Sequence, residues 1–220
     1  MIDLSRSGIT WKLDPRLPAD QQTGEQVYAN NDIDRGHLVR RASAVWGDTR
    51  AEAAQANEDT FHYTNAAPQA AGFNQSMELW LGLETYLLDN AADFRRRLIV
   101  FTGPVFSDHD PLYRGVRIPL RFFKVAAFIH NSVLAATGYV VDQTPVLPDL
   151  SRPGVQGGPP PLGPFRTFQV PIRDIAALTG LDLTQLIAAD RMPIAAAQPT
   201  APLTSTWRRL RSPADLSLNL

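Results

Sequence analysis

The sequence predicts an α+β fold, and three observations lead there. Apolar runs at residues 98–106, 122–130 and 134–141 are bounded by Gly, Pro and Asn, and their length suits buried strands of a central sheet. Within residues 77–94, Leu79, Trp80, Leu83, Leu87, Ala91 and Phe94 recur at intervals of three and four, which places them on one face of a helix. Residues 173–189 read as a further helix, interrupted near Gly180.

The remaining elements follow in chain order. Residues 9–16 read as a short strand running into a Pro-led turn, and residues 17–32 as an irregular loop. Residues 37–45 could open a strand or a helix, since periodicity fits either. Residues 144–164 hold seven Pro and four Gly, too many for regular structure, and are expected to form a long exposed loop. Residues 165–170 read as another strand. After Met192 the composition turns to Ala, Pro, Thr and Ser, so a single domain over 1–190 is expected to be followed by a weakly structured tail over 191–220.

Bulk properties narrow the classes of function. At 220 residues, 44% hydrophobic and 20% charged, the chain can build one sizeable core. It has no apolar run of about 18 residues, so no membrane-spanning helix is expected. Its first residues, Met1 to Arg6, lack the basic and apolar regions of a signal peptide; a secreted or periplasmic location stays open if the native chain begins upstream. With no cysteine there are no disulfides and no thiolate metal sites. A net charge of −1 argues against a general nucleic-acid glue. The 21 basic residues include only two lysines, Lys12 and Lys124, and the arginines cluster at Arg40–Arg41, Arg95–Arg97 and between Arg114 and Arg121. Genomic arginine bias explains such clusters as well as phosphate binding does.

Glu84 stands out on the 77–94 helix. At about 100° per residue it falls near the middle of the apolar arc, between Trp80 and Leu88. An ionised carboxylate in that place costs several kcal/mol unless an Arg, a metal or a metal-bound water meets it. Read by itself, this position favours a structural ion pair.

The densest chemistry lies at Asp34-Arg35-Gly36-His37, which sets an acid, a guanidinium, a flexible backbone position and an imidazole side by side. Downstream come Asn65-Ala66-Ala67-Pro68-Gln69, then Asn74-Gln75, then Leu83-Glu84, in one compact stretch. Further along stand Phe101-Thr102-Gly103-Pro104, Arg117-Ile118-Pro119 and Phe122-Phe123-Lys124-Val125. Together these resemble the DNA/RNA non-specific endonucleases, the ββα-metal nucleases that include endonuclease G. The resemblance covers most of the chain, and the combination is far more specific than any one piece.

The resemblance implies a ββα-metal fold, with a central, mostly antiparallel sheet and flanking helices. It also implies that an upstream strand found in family members is missing here, which would leave a sheet edge open. The implied activity is Mg²⁺-dependent hydrolysis of DNA and RNA, with Mn²⁺ as an alternative ion; a homodimer stays open. His37 fits the general base, because neutral imidazole accepts a proton near pH 7. Arg35 suits phosphate binding or charge stabilisation. The resemblance implies that Asn74 binds the metal through its amide oxygen and that Glu84 holds metal-bound water. Asn65 is expected to orient groups around the metal site, although it could simply anchor a turn before Pro68. Asp34 and Gly36 read as structural. Asn74 and Glu84 are ten residues apart, against about eight in the family pattern.

Other chemistries find less support. His62, His109 and His130 show no metal-ligand spacing, and Ser43, Ser76 and Ser132 lack nucleophile-elbow surroundings. No phosphate-cradling P-loop is present. Two alternatives remain beside the nuclease: a nuclease-like binding module without turnover, and a phosphodiesterase acting on small substrates.

Overall fold

The structure, a computed structural model, describes residue 4 and residues 8–75, 80–93, 97–144, 167–193, 206–211 and 215–216. In chain order its elements are α1 (Glu25–Tyr28), β1 (Ile33–His37), α2 (Arg41–Ala44), α3 (Arg50–Asp59), β2 (Ala66–Ala70), α4 (Ala71–Asn74), α5 (Trp80–Asp93), β3 (Ile99–Val105), β4 (Leu112–Tyr113), β5 (Val116–Arg117), β6 (Arg121–His130), β7 (Val133–Asp142), β8 (Thr167–Val170), α6 (Ile172–Thr179), α7 (Thr184–Ala188) and β9 (Arg208–Leu210). They group into two compact units, one drawn from residues 8–74 and 111–118 and the other from 80–110, 119–144 and the described residues beyond 166. The expected α+β class is what the molecule shows.

The second unit is a five-stranded antiparallel sheet in the order β3-β6-β7-β8-β9. Its long hairpin β6–β7 turns at Asn131–Ser132, both at positive φ, as a tight two-residue hairpin requires. One sheet face carries Val105, Phe123, Val125, Ala127, Ala136, Val140 and Val170, and packs against Ile172 and Ile175 of α6 and Leu183 and Ala189 beside α7. Gly138 lets the helix in: a Cβ there would lie 2.8 Å from Ile175 Cδ1 and from Val170 O. Helix α6 stops at Gly180, whose φ of 70° is a left-handed cap. The interruption expected within 173–189 is therefore a real break.

The other face holds a row of polar side chains running straight across the sheet. Thr102, Lys124, Tyr139, Gln169 and Arg208 are successive cross-strand partners on β3, β6, β7, β8 and β9. Directly opposed residues share a face, so the five form one line. Lys124, Tyr139 and Gln169 are buried, and burial pushes the Tyr139 phenol well above its ordinary range. Glu84 on α5 meets this row: its Oε1 lies 3.2 Å from Lys124 Nζ, and Lys124 also donates to Thr102 Oγ1 at 3.3 Å. Leu83 and Leu87 of the same helix are buried beside it.

The first unit is built on a two-stranded ribbon, β1 against β2, and a small hairpin, β4–β5. Its core comprises Val27, Tyr28, Ile33, Tyr63, Ala66 and Ile118, with Trp11 and Tyr113 packed against it. Helix α3 begins with a capping box: Thr49 Oγ1 accepts from Glu52 N, and Glu52 Oε2 accepts from Thr49 N.

Several expectations are corrected. Residues 9–16 form no strand; Lys12 makes a single bridge to His62, and its N–H donates to Phe61 O. The loop over 17–32 contains a helical turn at Ala19–Gln21 and α1. The 98–106 strand is not a buried one, because β3 is a sheet edge and exposes Ile99, Val100 and Phe101. Beyond Met192, Arg208–Leu210 pairs with β8 as the opposite edge. Residues 145–166, Leu79, Phe94 and most of the 194–220 tail lie outside the described residues. Among the described residues no helix is long and apolar enough to cross a membrane.

The Lys124–Glu84 pair carries a testable consequence. Lys124→Ala leaves a buried carboxylate without its cation and should cost about 3–5 kcal/mol, whereas Lys124→Met combined with Glu84→Leu should restore most of that loss. Urea unfolding of the three proteins measures it.

Candidate active site

The ribbon β1–β2 fixes where the candidate side chains point. Its register pairs Ile33 with Ala70, Asp34 with Gln69, Arg35 with Pro68, Gly36 with Ala67 and His37 with Ala66. Successive strand residues face opposite sides, so Arg35 and His37 share one face while Asp34, Gly36 and Gln69 share the other. Gly36 is required by its neighbour: a Cβ at that position would lie 2.0 Å from Gln69 Oε1, since the buried Gln69 side chain is laid across it.

Arg35 and His37 enter an aromatic surround. The His37 ring lies 4.6 Å from that of Trp11 and 4.9 Å, edge-on, from that of Phe61. Trp11 is in turn 5.8 Å from Tyr63, which stacks with Tyr28 at 6.0 Å. The Arg35 guanidinium sits over the Tyr28 ring at 5.2 Å and forms a very short ion pair through Nη2 with Glu25 Oε2. Tyr63 Oη donates to the same oxygen at 2.8 Å. Those two bonds hold the Glu25 carboxyl below its usual range. The clamp is accordingly complete above that range, and weakens as pH falls through the depressed value. Glu25 is largely exposed, so the pair is open to water on the carboxylate side.

Asn65 acts on the chain just beyond His37. Its Oδ1 accepts from Val39 N at 2.9 Å, its Nδ2 donates to Val39 O and Thr60 O at 3.0 Å each, and its carbonyl accepts from Leu38 N at 2.9 Å. All three side-chain bonds go to backbone. Asn65 therefore fixes the path of the segment that carries His37 out of β1.

On the opposite face Asn74 Nδ2 donates to Asp34 Oδ2 at 2.9 Å. The Gln69 carboxamide between the strands is fully buried, and neither its Oε1 nor its Nε2 has a partner among the described residues. Such an orphaned group in a polar corner marks a place for a water or an ion. Asp34, Gln69 and Asn74 supply hard oxygen donors, which suit Mg²⁺ or Mn²⁺. Among the described residues no three His, Asp or Glu gather as a cage, so an ion there would keep most of its water. The residues fit such an ion.

The structure thus brings Asn74 to Asp34, and sets Arg35 and His37 together in the aromatic surround. Alternation along β1 sends these two groups to opposite faces of the ribbon. Glu84 belongs to the other compact unit, where its cation is Lys124. A cationic side chain therefore meets the carboxylate on that helical arc. Sequence reasoning missed Trp11, Glu25, Phe61 and Tyr63, which touch the site but carry no local pattern, and it did not foresee the bond between Asp34 and Asn74.

Comparison with known proteins decides the family. The family model for DNA/RNA non-specific endonucleases matches residues 2–190. The chain belongs to the DNA/RNA non-specific endonuclease family. Among this family's relatives, an uncharacterized protein, y4fB, of Sinorhizobium fredii is 40% identical over 97% of this chain and 32% of its own length. Mitochondrial endonuclease G of Homo sapiens is 27% identical over 81% of this chain and 57% of its own, and nuclease C1 of Cunninghamella echinulata is 29% identical over 56% and 50%. The chain thus spans between a third and somewhat over half of these relatives. A crystal structure of the EndoG/EndoGI complex has the same endonuclease fold, with a TM-score of 0.60 over 84% of this chain and 72% of that one at 22% identity.

Asn65→Ala removes three hydrogen bonds at once and should lower stability by about 1–3 kcal/mol, because the Val39 and Thr60 backbone groups lose their partner. Asn65→Asp, which can still accept from Val39 N but cannot donate, should fall between. Chemical denaturation ranks the three proteins.

Proposed function

We propose that this chain is a sugar-non-specific endonuclease that hydrolyses phosphodiester bonds in DNA and RNA with a divalent cation, Mg²⁺ or Mn²⁺. Family membership sets the reaction class. The observation that carries the reading is the placement of a guanidinium and an imidazole two residues apart on one face of β1, held by aromatic neighbours and by Asn65.

The division of labour follows from the side chains. His37 accepts a proton from the attacking water at a ring nitrogen, and the rings of Trp11 and Phe61 limit the directions its imidazole can take. Arg35 exchanges Glu25 for a phosphate oxygen and offsets the charge that grows on phosphorus. Asn74 would hold a cation through its amide oxygen, with Asp34 bonded to its amide nitrogen. When bound, the ion would supply charge relief at the departing oxygen. Contacts of this kind are to phosphate, which carries no base identity, so sequence blindness is expected.

A second reading has its own support. Glu84 is already neutralised by Lys124, which is the arrangement of a structural carboxylate and suits a nucleic-acid-binding module without turnover. Incubation with plasmid and with RNA, in Mg²⁺ or EDTA, separates the two. The nuclease should cut both in Mg²⁺ and neither in EDTA, and His37→Ala should slow cutting by about 10²–10⁴-fold. Gel shifts without hydrolysis would favour the binding module.

A further inference from the structure

Asp34 carries more than a local turn. An ionised carboxylate accepts hydrogen bonds and donates none, so the Asn74 atom that lies 2.9 Å from Asp34 Oδ2 has to be the amide nitrogen. That assignment leaves Asn74 Oδ1 facing away from Asp34. A carboxamide turns through two nearly equivalent orientations about its terminal torsion, and only one of them offers oxygen to a cation. Asp34 is itself held in the β1–β2 ladder opposite Gln69, whose buried side chain fills the space above Gly36. Helix α4 follows β2 directly, so Asn74 returns to the same corner of the ribbon only five residues after Gln69.

We propose that Asp34 is a positioning residue that locks the Asn74 carboxamide with its oxygen toward a hydrated divalent cation. The inference rests on the reading of Asn74 as the direct ligand of that cation. Without the carboxylate, the amide spends part of its time presenting N–H groups, which repel the ion. Asp34 acts through Asn74, and its effect depends on accepting a hydrogen bond more than on its charge.

The test is Mn²⁺ binding by the full chain without nucleic acid, followed by calorimetry. Asp34→Leu removes the acceptor and should weaken binding by about 10–100-fold, the range found for groups that orient a metal ligand. Asp34→Asn keeps an acceptor oxygen and should bind much more tightly than Asp34→Leu. The exchange Asp34→Asn with Asn74→Asp restores one charge and one hydrogen bond in reverse, and should also bind. Equal weakening in Asp34→Leu and Asp34→Asn would show a role of charge alone and overturn the proposal, as would wild-type binding by Asp34→Leu. Should Asp34→Leu fail to fold, the Asn74 side-chain NH₂ resonance of the unaltered protein decides: protection from exchange that persists with Mg²⁺ supports the lock, and free exchange overturns it. Asn74→Ala separates the two levels, since undiminished Mn²⁺ binding there removes the ligand reading itself.

Discussion

A five-residue antiparallel pairing, Ile33–His37 on Ala66–Ala70, governs the candidate site. Its register places Asp34 opposite Gln69 and His37 opposite Ala66, and the pleat then assigns each neighbour to a face. Arg35 and His37 go to the aromatic surround, while Asp34 goes to Asn74. The ribbon tolerates Pro68 because two strands leave each one with an unpaired side, where a missing N–H costs nothing. A side chain at residue 36 would have to displace the buried Gln69, which crosses there. Asn65 then binds the backbone on the far side of His37, so the imidazole is fixed from both directions along the chain.

Two ion pairs among the described residues, Arg35–Glu25 and Lys124–Glu84, differ in kind. Arg35–Glu25 has an exposed carboxylate, so water competes with it and its contribution to stability is small. That weakness suits the exchange of partners proposed for Arg35. Lys124–Glu84 is buried on both sides and bonded onward to Thr102, where neither charge can be released without heavy desolvation cost. Such a pair holds α5 on the sheet.

Much of the sheet was legible because β6 and β7 are uninterrupted apolar runs with sharp turn residues at their ends. The ribbon was harder to see, since β2 reads Ala-Ala-Pro-Gln-Ala, with small side chains, a proline and no alternation. Helix α3 has a polar surface that gives no apolar stripe, yet its capping box at Thr49 and Glu52 was written in the chain. At the site, the identities of Arg35, His37, Asn65 and Asn74 could be read from motif order. Their surroundings could not, because Trp11, Glu25, Phe61 and Tyr63 converge only through tertiary folding. Helical geometry showed that Glu84 would be buried and need a partner, but Lys124 lies forty residues on and only the sheet brings it there.

The polar line Thr102-Lys124-Tyr139-Gln169-Arg208 has a consequence for how the strands find one another. Sliding any strand by one residue turns its member of the line to the α6 side, among Val125, Val140 and Ile175. A misaligned Lys124 would there lose Glu84 and face the aliphatic side chains of that layer. Mispaired sheets are thus penalised at Lys124, where the native alignment supplies a carboxylate, and this stripe acts as a proofreading key for an otherwise greasy and slippery hairpin.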